Sequence, residues 1–155
     1  MFLNILSFDR LSIVMLVLIF FISGVVTSFS KRYMKYDIKY QCYLRRNFFL
    51  TGGLALYVCC DNMWGFTLIS AINNIVLAKM ITHNPNWKQA KNSGDLALQT
   101  FFVGFVSLAT ATYIVTDLTG ETSIQLIISS IIEEEVKDTW RLSLLLIFVA
   151  AVCQS

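Results

Sequence analysis

Charged residues are scarce in this chain, and their scarcity points to the class of protein. Only 14% of its 155 residues are Asp, Glu, Lys or Arg, whereas 56% are hydrophobic. Soluble domains usually carry about a quarter charged residues. The formal net charge of +2 leaves no large excess of either sign. The composition therefore predicts a membrane protein, and it predicts no nucleic-acid partner.

Proline, glycine and histidine are also rare. A single proline and seven glycines argue against disorder and against a turn-rich all-β protein. Outer-membrane strands would alternate apolar and polar residues, whereas this chain has long unbroken apolar runs. The single histidine, His83, excludes a multi-histidine metal site within the chain. The four cysteines form no C-x-x-C pair, so they are expected to pack as small apolar side chains, and no cofactor is expected in this chain.

The apolar runs predict an all-α fold, a polytopic transmembrane helix bundle with about four complete spans and an incomplete fifth. The spans of this single membrane domain are expected near residues 11–28, 47–60, 63–81, 96–116 and 142–155. The second run is short, and Cys42, Tyr43 and Leu44 could add apolar length to it if Arg45 and Arg46 at its edge snorkel. An acidic amphipathic segment, residues 121–136, is expected to lie at the interface or on neighbouring spans.

Basic residues predict the orientation of the bundle. Most lysines and arginines fall in residues 31–46 and 82–95, whereas residues 117–138 are acidic. Basic connections are retained in the cytoplasm. The N-terminus is therefore predicted to lie outside.

Polar side chains at membrane depth mark candidate pathways, because they need partners there. In the third span Thr67, Ser70 and Asn74 have helical spacing and share a face, with Asn73 beside it. One interpretation is interhelical hydrogen bonding, and the other is a polar lining for a hydrated path. Lys79, near the end of this span, is interpreted as a snorkelling lysine, with a buried proton carrier as the alternative.

The fourth span and the connection before it contribute the remaining candidates. Gln99 is the one amide of that span and is expected to reach Asn73 or Asn74. His83 and Trp87 are predicted to anchor the chain at the membrane interface. A stripe of small residues is expected to allow close helix approach; it comprises Thr100, Gly104, Ser107 and Ala111. No nucleophile–histidine–acid order, phosphate loop or paired carboxylate within a span occurs, so no enzyme is predicted.

Several segments resemble known membrane proteins. Residues 9–16 (DRLSIVML), followed by RYM at 32–34, resemble the antiporter-like subunits of respiratory NADH-quinone oxidoreductase, particularly subunit L. The pair Asp61-Asn62 resembles the ADN turn of that family. Three further segments are similar to the membrane subunit of the DAB inorganic-carbon accumulation transporters; they are HNPNWKQAKNSG at 83–94, LALQTFFVGFVSLA at 96–109 and TGETSIQ at 119–125.

The resemblance implies a membrane subunit of an ion-coupled inorganic-carbon transporter in the bacterial inner membrane. Its implied partners are lipid, other transmembrane segments and a soluble zinc-dependent subunit. Two alternatives stay open: an antiporter-like proton-translocating subunit of a respiratory NADH-quinone oxidoreductase or cation/proton antiporter, and a truncated, non-transporting structural subunit.

Two departures from the respiratory pattern bear on proton transfer. Ala71 stands where those subunits carry a glutamate, and Gln154 lies near the place of their lysine. Proton pumping is therefore not expected from these residues. The resemblance also implies an N-terminal portion or truncated form of a larger subunit.

Overall fold

The computed structural model describes residues 9–36, 39–82, 87–133 and 138–154. The helices in these residues are α1 (Arg10–Tyr33), α2 (Tyr40–Cys59), α3 (Met63–Ile81), α4 (Lys88–Thr119), α5 (Ile124–Glu133) and α6 (Asp138–Gln154). Across the same ranges there is no strand, only one isolated antiparallel bridge between Asn62 and Ser123. The predicted all-α bundle is confirmed.

Three helices of the described chain are long and apolar enough to cross a membrane, namely Arg10–Tyr33, Met63–Ile81 and Lys88–Thr119. α2 has 20 residues, but it begins at Tyr40 and so includes Arg45 and Arg46. These charges explain why α2 is not among the helices apolar enough to cross a membrane, although a complete span was expected at residues 47–60. The apolar helix Thr139–Gln154 is shorter and includes most of the last predicted run.

The helices pack mostly in chain order. α2 contacts α1 and α3, while α4 contacts α3, α5 and α6. Close approach depends on small residues, as the predicted stripe on α4 indicates. Gly104 packs against α6, where an added Cβ would lie 3.2 Å from Cβ of Cys153. Ala111 is also buried, whereas Thr100 is exposed.

α1 buries polar residues and exposes apolar ones, which is the reverse of the pattern in a soluble protein. Its two buried residues are Ser12 and Ser30, whereas Phe20 and Phe29 are 59% and 68% exposed. In water such an arrangement would expose apolar surface without gain. In lipid it places polar groups where protein partners satisfy them.

A small apolar core joins α4, α5 and α6 at one end of the bundle. Val115, Ile127 and Trp140 pack together, with Met63 of α3 beside them. Ile127 is 4% exposed, whereas its neighbour Ile128 is 55% exposed. The amphipathic segment predicted at 121–136 therefore forms α5 with one side on the bundle, and its residues 134–136 lie outside the described ranges.

Candidate functional site: the polar residues of the third helix

The polar residues predicted on the third span all lie on α3, but they face different neighbours. Thr67, Ser70 and Asn73 are buried, and Asn74 is half-buried. Their contacts decide between a structural role and a polar path.

Thr67 meets α4 through a second threonine. Its Oγ1 lies 3.0 Å from Oγ1 of Thr112 and 3.0 Å from the Met63 carbonyl oxygen. The Thr112 hydroxyl lies 2.8 Å from the carbonyl oxygen of Leu108. Two hydroxyls supply two protons for these three contacts. Only two of the contacts are therefore hydrogen bonds at any moment, and the pair has two protons with alternative positions.

Ser70 makes its bond within its own helix. Its hydroxyl donates to the carbonyl oxygen of Thr67 at 2.8 Å. This back-bonding satisfies a serine inside a membrane helix without a partner on another helix. Ser70 therefore has no need of water or substrate.

Asn73 faces α2 rather than the Thr67 side of α3. Its side-chain amide packs against Gly53, so closely that an added Cβ on Gly53 would collide with Oδ1 of Asn73. The Nδ2 group of Asn73 is buried and has no hydrogen-bond partner. An unpaired buried amide donor carries a desolvation penalty of about 1–3 kcal/mol. The glycine therefore accommodates a side chain whose donor is left unsatisfied.

Asn74 lines an apolar cavity of about 260 Å³ between α3 and α4. Its Nδ2 is also buried without a partner. Ala71 lines the same cavity, and the remaining lining residues are Ile75, Leu98, Phe101, Phe102 and Phe105. The position that corresponds to a glutamate in the resembling respiratory subunits thus faces phenylalanine rings here. A water chain would find one polar neighbour in this cavity, whereas a buried water usually makes about three hydrogen bonds.

The other predicted residues lie away from this group. Lys79 is exposed near the end of α3, where its carbonyl oxygen accepts a 2.8 Å hydrogen bond from Nη1 of Arg46. Gln99 is exposed on α4, and the expected amide contact with Asn73 or Asn74 is not formed. Trp87 is 67% exposed at the start of α4, and His83 lies outside the described residues.

The interface between α1 and α2 is a row of side-chain hydrogen bonds that sequence reasoning missed. Three bonds join the helices at successive levels: Ser12 Oγ to the Val58 carbonyl oxygen at 3.2 Å, Ser23 Oγ with Thr51 Oγ1 at 2.7 Å, and Asn47 Nδ2 to Thr27 Oγ1 at 3.1 Å. A weaker contact of 3.3 Å joins Ser30 to the Tyr43 hydroxyl. The serines and threonine of α1 repeat at helical spacing, and this periodicity is the signal that could have found the interface.

Asp61 joins two segments that the resemblance singled out. Its Oδ2 accepts a hydrogen bond of 2.5 Å from Ser123, and its Oδ1 accepts one of 3.3 Å from the Gln125 backbone N–H. The backbone adds bonds from Ile124 N–H to Asp61 O at 2.8 Å and from Met63 N–H to Thr122 O at 2.9 Å. We call this set the Asp61 loop contact. A carboxylate here meets the N-terminus of α5, where unpaired N–H groups favour an anion.

Asn62 completes this end of the bundle by capping α3. Its Oδ1 accepts from the backbone N–H groups of Trp64 and Gly65, at 3.0 and 3.2 Å. An asparagine is among the preferred N-cap residues. The Asp61-Asn62 pair therefore supports two helices at once, which gives the turn a structural role.

No group of three or more His, Cys, Asp or Glu side chains that could hold a metal ion occurs in the described part of the chain. The four cysteines, Cys42, Cys59, Cys60 and Cys153, are all free thiols. The residues described thus offer hydrogen-bonding groups but no ligand cluster.

Residues 5–44 match the family model for the N-terminus of NADH-ubiquinone oxidoreductase (complex I) chain 5. This match supports the antiporter-like, proton-conducting family. It covers α1, the connection after it and the first turn of α2. No curated protein and no solved structure matches the chain. The match covers about a quarter of the chain. Together with the three membrane-length helices, it indicates a multi-pass membrane protein whose N-terminal part is similar to that family.

Proposed function

We propose that the chain is a membrane subunit of an ion-coupled inorganic-carbon transporter that works with a soluble zinc-dependent partner. The observation that carries the transporter class is the match of residues 5–44 to the antiporter-like family. The substrate and the partner rest on the resemblance of residues 83–94, 96–109 and 119–125 to the DAB membrane subunit.

The interior of α3 and α4 supports a scaffold role within such a transporter. Every charged residue of these two helices is exposed; they are Lys79, Lys88, Lys91, Asp95 and Asp117. The buried polar side chains described on these helices are hydroxyls and amides, which do not ionise near neutral pH. We therefore place the ion path elsewhere in the assembly, and we assign α3 and α4 to holding its neighbouring helices in position.

The alternative of a proton-translocating subunit predicts a titratable group inside these spans. The cavity beside Ala71 and Asn74 is lined by apolar side chains instead, and this favours the transporter scaffold over a proton relay through α3. A structural subunit without transport is the remaining alternative, and the bonded interface of α1 and α2 fits it equally well.

We further propose the bacterial inner membrane as the location, with the N-terminus outside. The Arg46 bond to the Lys79 carbonyl places the start of α2 and the end of α3 at one end of the bundle. That end carries most of the basic residues, which are retained in the cytoplasm.

Uptake of labelled bicarbonate tests the transport function. The full chain is expressed in cells that lack their own carbon-concentrating systems, with and without its genomic neighbour. We expect uptake that needs both proteins and is abolished by a protonophore. A chain that inserts and binds its neighbour without any uptake would leave the structural subunit as the better account. Proton flux in vesicles without bicarbonate would instead support the proton-translocating alternative.

A further inference from the structure

A second polar region lies on the other side of the bundle, where α1 and α2 enclose an open cavity of about 760 Å³. Among its lining residues are Ser23 and Thr27 of α1 and Arg45, Asn47 and Phe48 of α2. Lys39, at the start of α2, also lines it. The cavity therefore lies at the basic end of the α1–α2 pair.

The described lining of the cavity is basic. Among the described residues that line it, Lys39 and Arg45 carry positive charge and none is Asp or Glu. Arg45 is exposed, and no ion pair or hydrogen bond joins its guanidinium to another described residue. Such a lining suits a ligand that is anionic and rich in acceptors.

The floor of the cavity contributes a further donor. Asn47 is 7% exposed and donates through Nδ2 to Thr27 Oγ1 at 3.1 Å. The Thr27 oxygen thus serves as an acceptor, and its own proton has no acceptor among the described residues. A hydroxyl has one proton to give. Thr27 can therefore donate into the cavity, one helical turn from Ser23.

The walls distinguish a lipid from a free anion. Phe48 is 79% exposed beside Arg45, and Leu44 adds a second apolar side chain to the lining. A small anion would cover only the polar groups. A phospholipid presents phosphate oxygens to the donors and acyl chains to the apolar wall, and basic pockets between membrane helices suit such headgroups.

We propose that this cavity binds the phosphate of an anionic phospholipid, with Arg45 and Thr27 as its donors and Phe48 against an acyl chain. The headgroup is anionic overall because the choline of a zwitterionic lipid would lie beside Lys39 and Arg45, and the described lining residues include no acid to pair it. The site is separate from α3 and does not depend on the proposed transport function.

Lipid binding to the purified full chain in neutral detergent tests the proposal. The probes are dioctanoyl phosphatidylglycerol and dioctanoyl phosphatidylcholine, and binding is followed by native mass spectrometry. We expect the anionic probe to bind more tightly, and Arg45→Gln to weaken it about fivefold, the effect of one basic charge near such a headgroup. Arg45→Lys keeps the charge but not the guanidinium group, so it should lose less affinity for the anionic probe than Arg45→Gln does.

Lys35→Gln is the matched control. Lys35 belongs to the same basic connection and is exposed, but it lies over the Tyr36 ring at 5.8 Å and does not line the cavity. The Lys35→Gln variant should bind the anionic probe as tightly as the unaltered chain does. Equal weakening by Lys35→Gln and Arg45→Gln would overturn the site in favour of a diffuse basic surface. Equal binding of both probes would overturn the anionic preference, and displacement of the lipid by equimolar bicarbonate or inorganic phosphate would overturn the lipid assignment.

Discussion

At the level of single residues, Thr67 and Thr112 link α3 to α4. Their two hydroxyls have only two protons for three contacts, which limits what the pair contributes to stability. Removing either hydroxyl by Thr67→Val or Thr112→Val leaves the other free to bond within its own helix. We expect each variant to lower the free energy of unfolding by about 0.5–1 kcal/mol, and the double variant to lose less than the sum, with a coupling energy of about 0.6 kcal/mol. Unfolding by SDS in mixed micelles measures all three values.

Thr110→Val serves as the control for this pair. Thr110 is exposed on α4, and its hydroxyl bonds only the Val106 carbonyl oxygen of the same helix, at 2.8 Å. Its loss should leave stability nearly unchanged. If Thr67→Val and Thr112→Val prove fully additive, the hydroxyl pair is not a coupled unit.

Gly53 and Asn73 give a sharper prediction, because one methyl group decides whether α2 and α3 can approach. A Cβ on Gly53 would collide with the Asn73 side-chain oxygen, whereas a Cβ on Gly52 meets nothing within 4 Å. We expect Gly53→Ala to destabilise by about 1–3 kcal/mol through overpacking. Gly52→Ala should be neutral or stabilising by up to about 1 kcal/mol, because alanine favours a helix.

The double variant Gly53→Ala/Asn73→Ala tests the cause. It removes both the collision and the unpaired amide donor, so it should recover most of the stability lost by Gly53→Ala in the same unfolding assay. Failure to recover would mean that the stability lost by Gly53→Ala does not come from a collision with the Asn73 side chain.

The sequence indicated which residues of α3 are polar and buried, but not their partners. Helical spacing alone placed Thr67, Ser70 and Asn74 on one face. The partner Thr112 and the direction of Asn73 towards Gly53 depend on how far one helix is shifted along another, which a single sequence does not encode. The hydrogen bonds between α1 and α2 were not predicted for a related reason, because serines and threonines in apolar runs often bond only their own backbone.

At the level of the elements, the Asp61 loop contact links the α2–α3 turn to the start of α5. Asp61→Asn keeps the shape of the side chain but removes its charge, which weakens the bonds from Ser123 and from the Gln125 N–H. We expect a local loss of about 1–2 kcal/mol at the N-terminus of α5. Hydrogen exchange of the Ile124–Ile128 amides should accelerate about tenfold, which corresponds to about 1.4 kcal/mol.

Asp117→Asn is the matched control, because Asp117 is exposed near the end of α4 at the same end of the bundle. Exchange in α5 should not change in this variant. Similar acceleration in both variants would assign the effect to the total charge at this end, and no acceleration in Asp61→Asn would show that α5 is held by Ile127 and its apolar contacts alone.

Element boundaries followed hydropathy closely in one helix and poorly in another. The third predicted span, residues 63–81, coincides with α3 (Met63–Ile81), because a capping asparagine begins it directly after the Asp61 turn. α2 instead starts at Tyr40, well before its apolar run. The helix runs through Arg45 and Arg46, and Arg46 bonds to the Lys79 carbonyl oxygen there. A hydropathy window excludes such charged residues.

For the whole molecule, two bonds between distant residues fix which helix ends lie together. Arg46 and Lys79 join the start of α2 to the end of α3, whereas Asp61 and Ser123 join the α2–α3 turn to the segment after α4. The bundle therefore has a basic end and an opposite end that carries Asp61, Asp117 and Glu121. This charge separation predicts one orientation in a membrane, with the basic end in the cytoplasm.

Single cysteines at the two ends test that orientation. In a chain whose four native cysteines are replaced by alanine, Lys35→Cys and Lys91→Cys should react with a membrane-impermeant maleimide only after the inner membrane is opened. Glu121→Cys, which is exposed at the opposite end, should react in intact spheroplasts. The inverse pattern would place the N-terminus in the cytoplasm. Labelling of Lys35→Cys and Glu121→Cys from the same side would contradict the bundle itself, because the Arg46 and Asp61 bonds require these residues to lie at opposite ends.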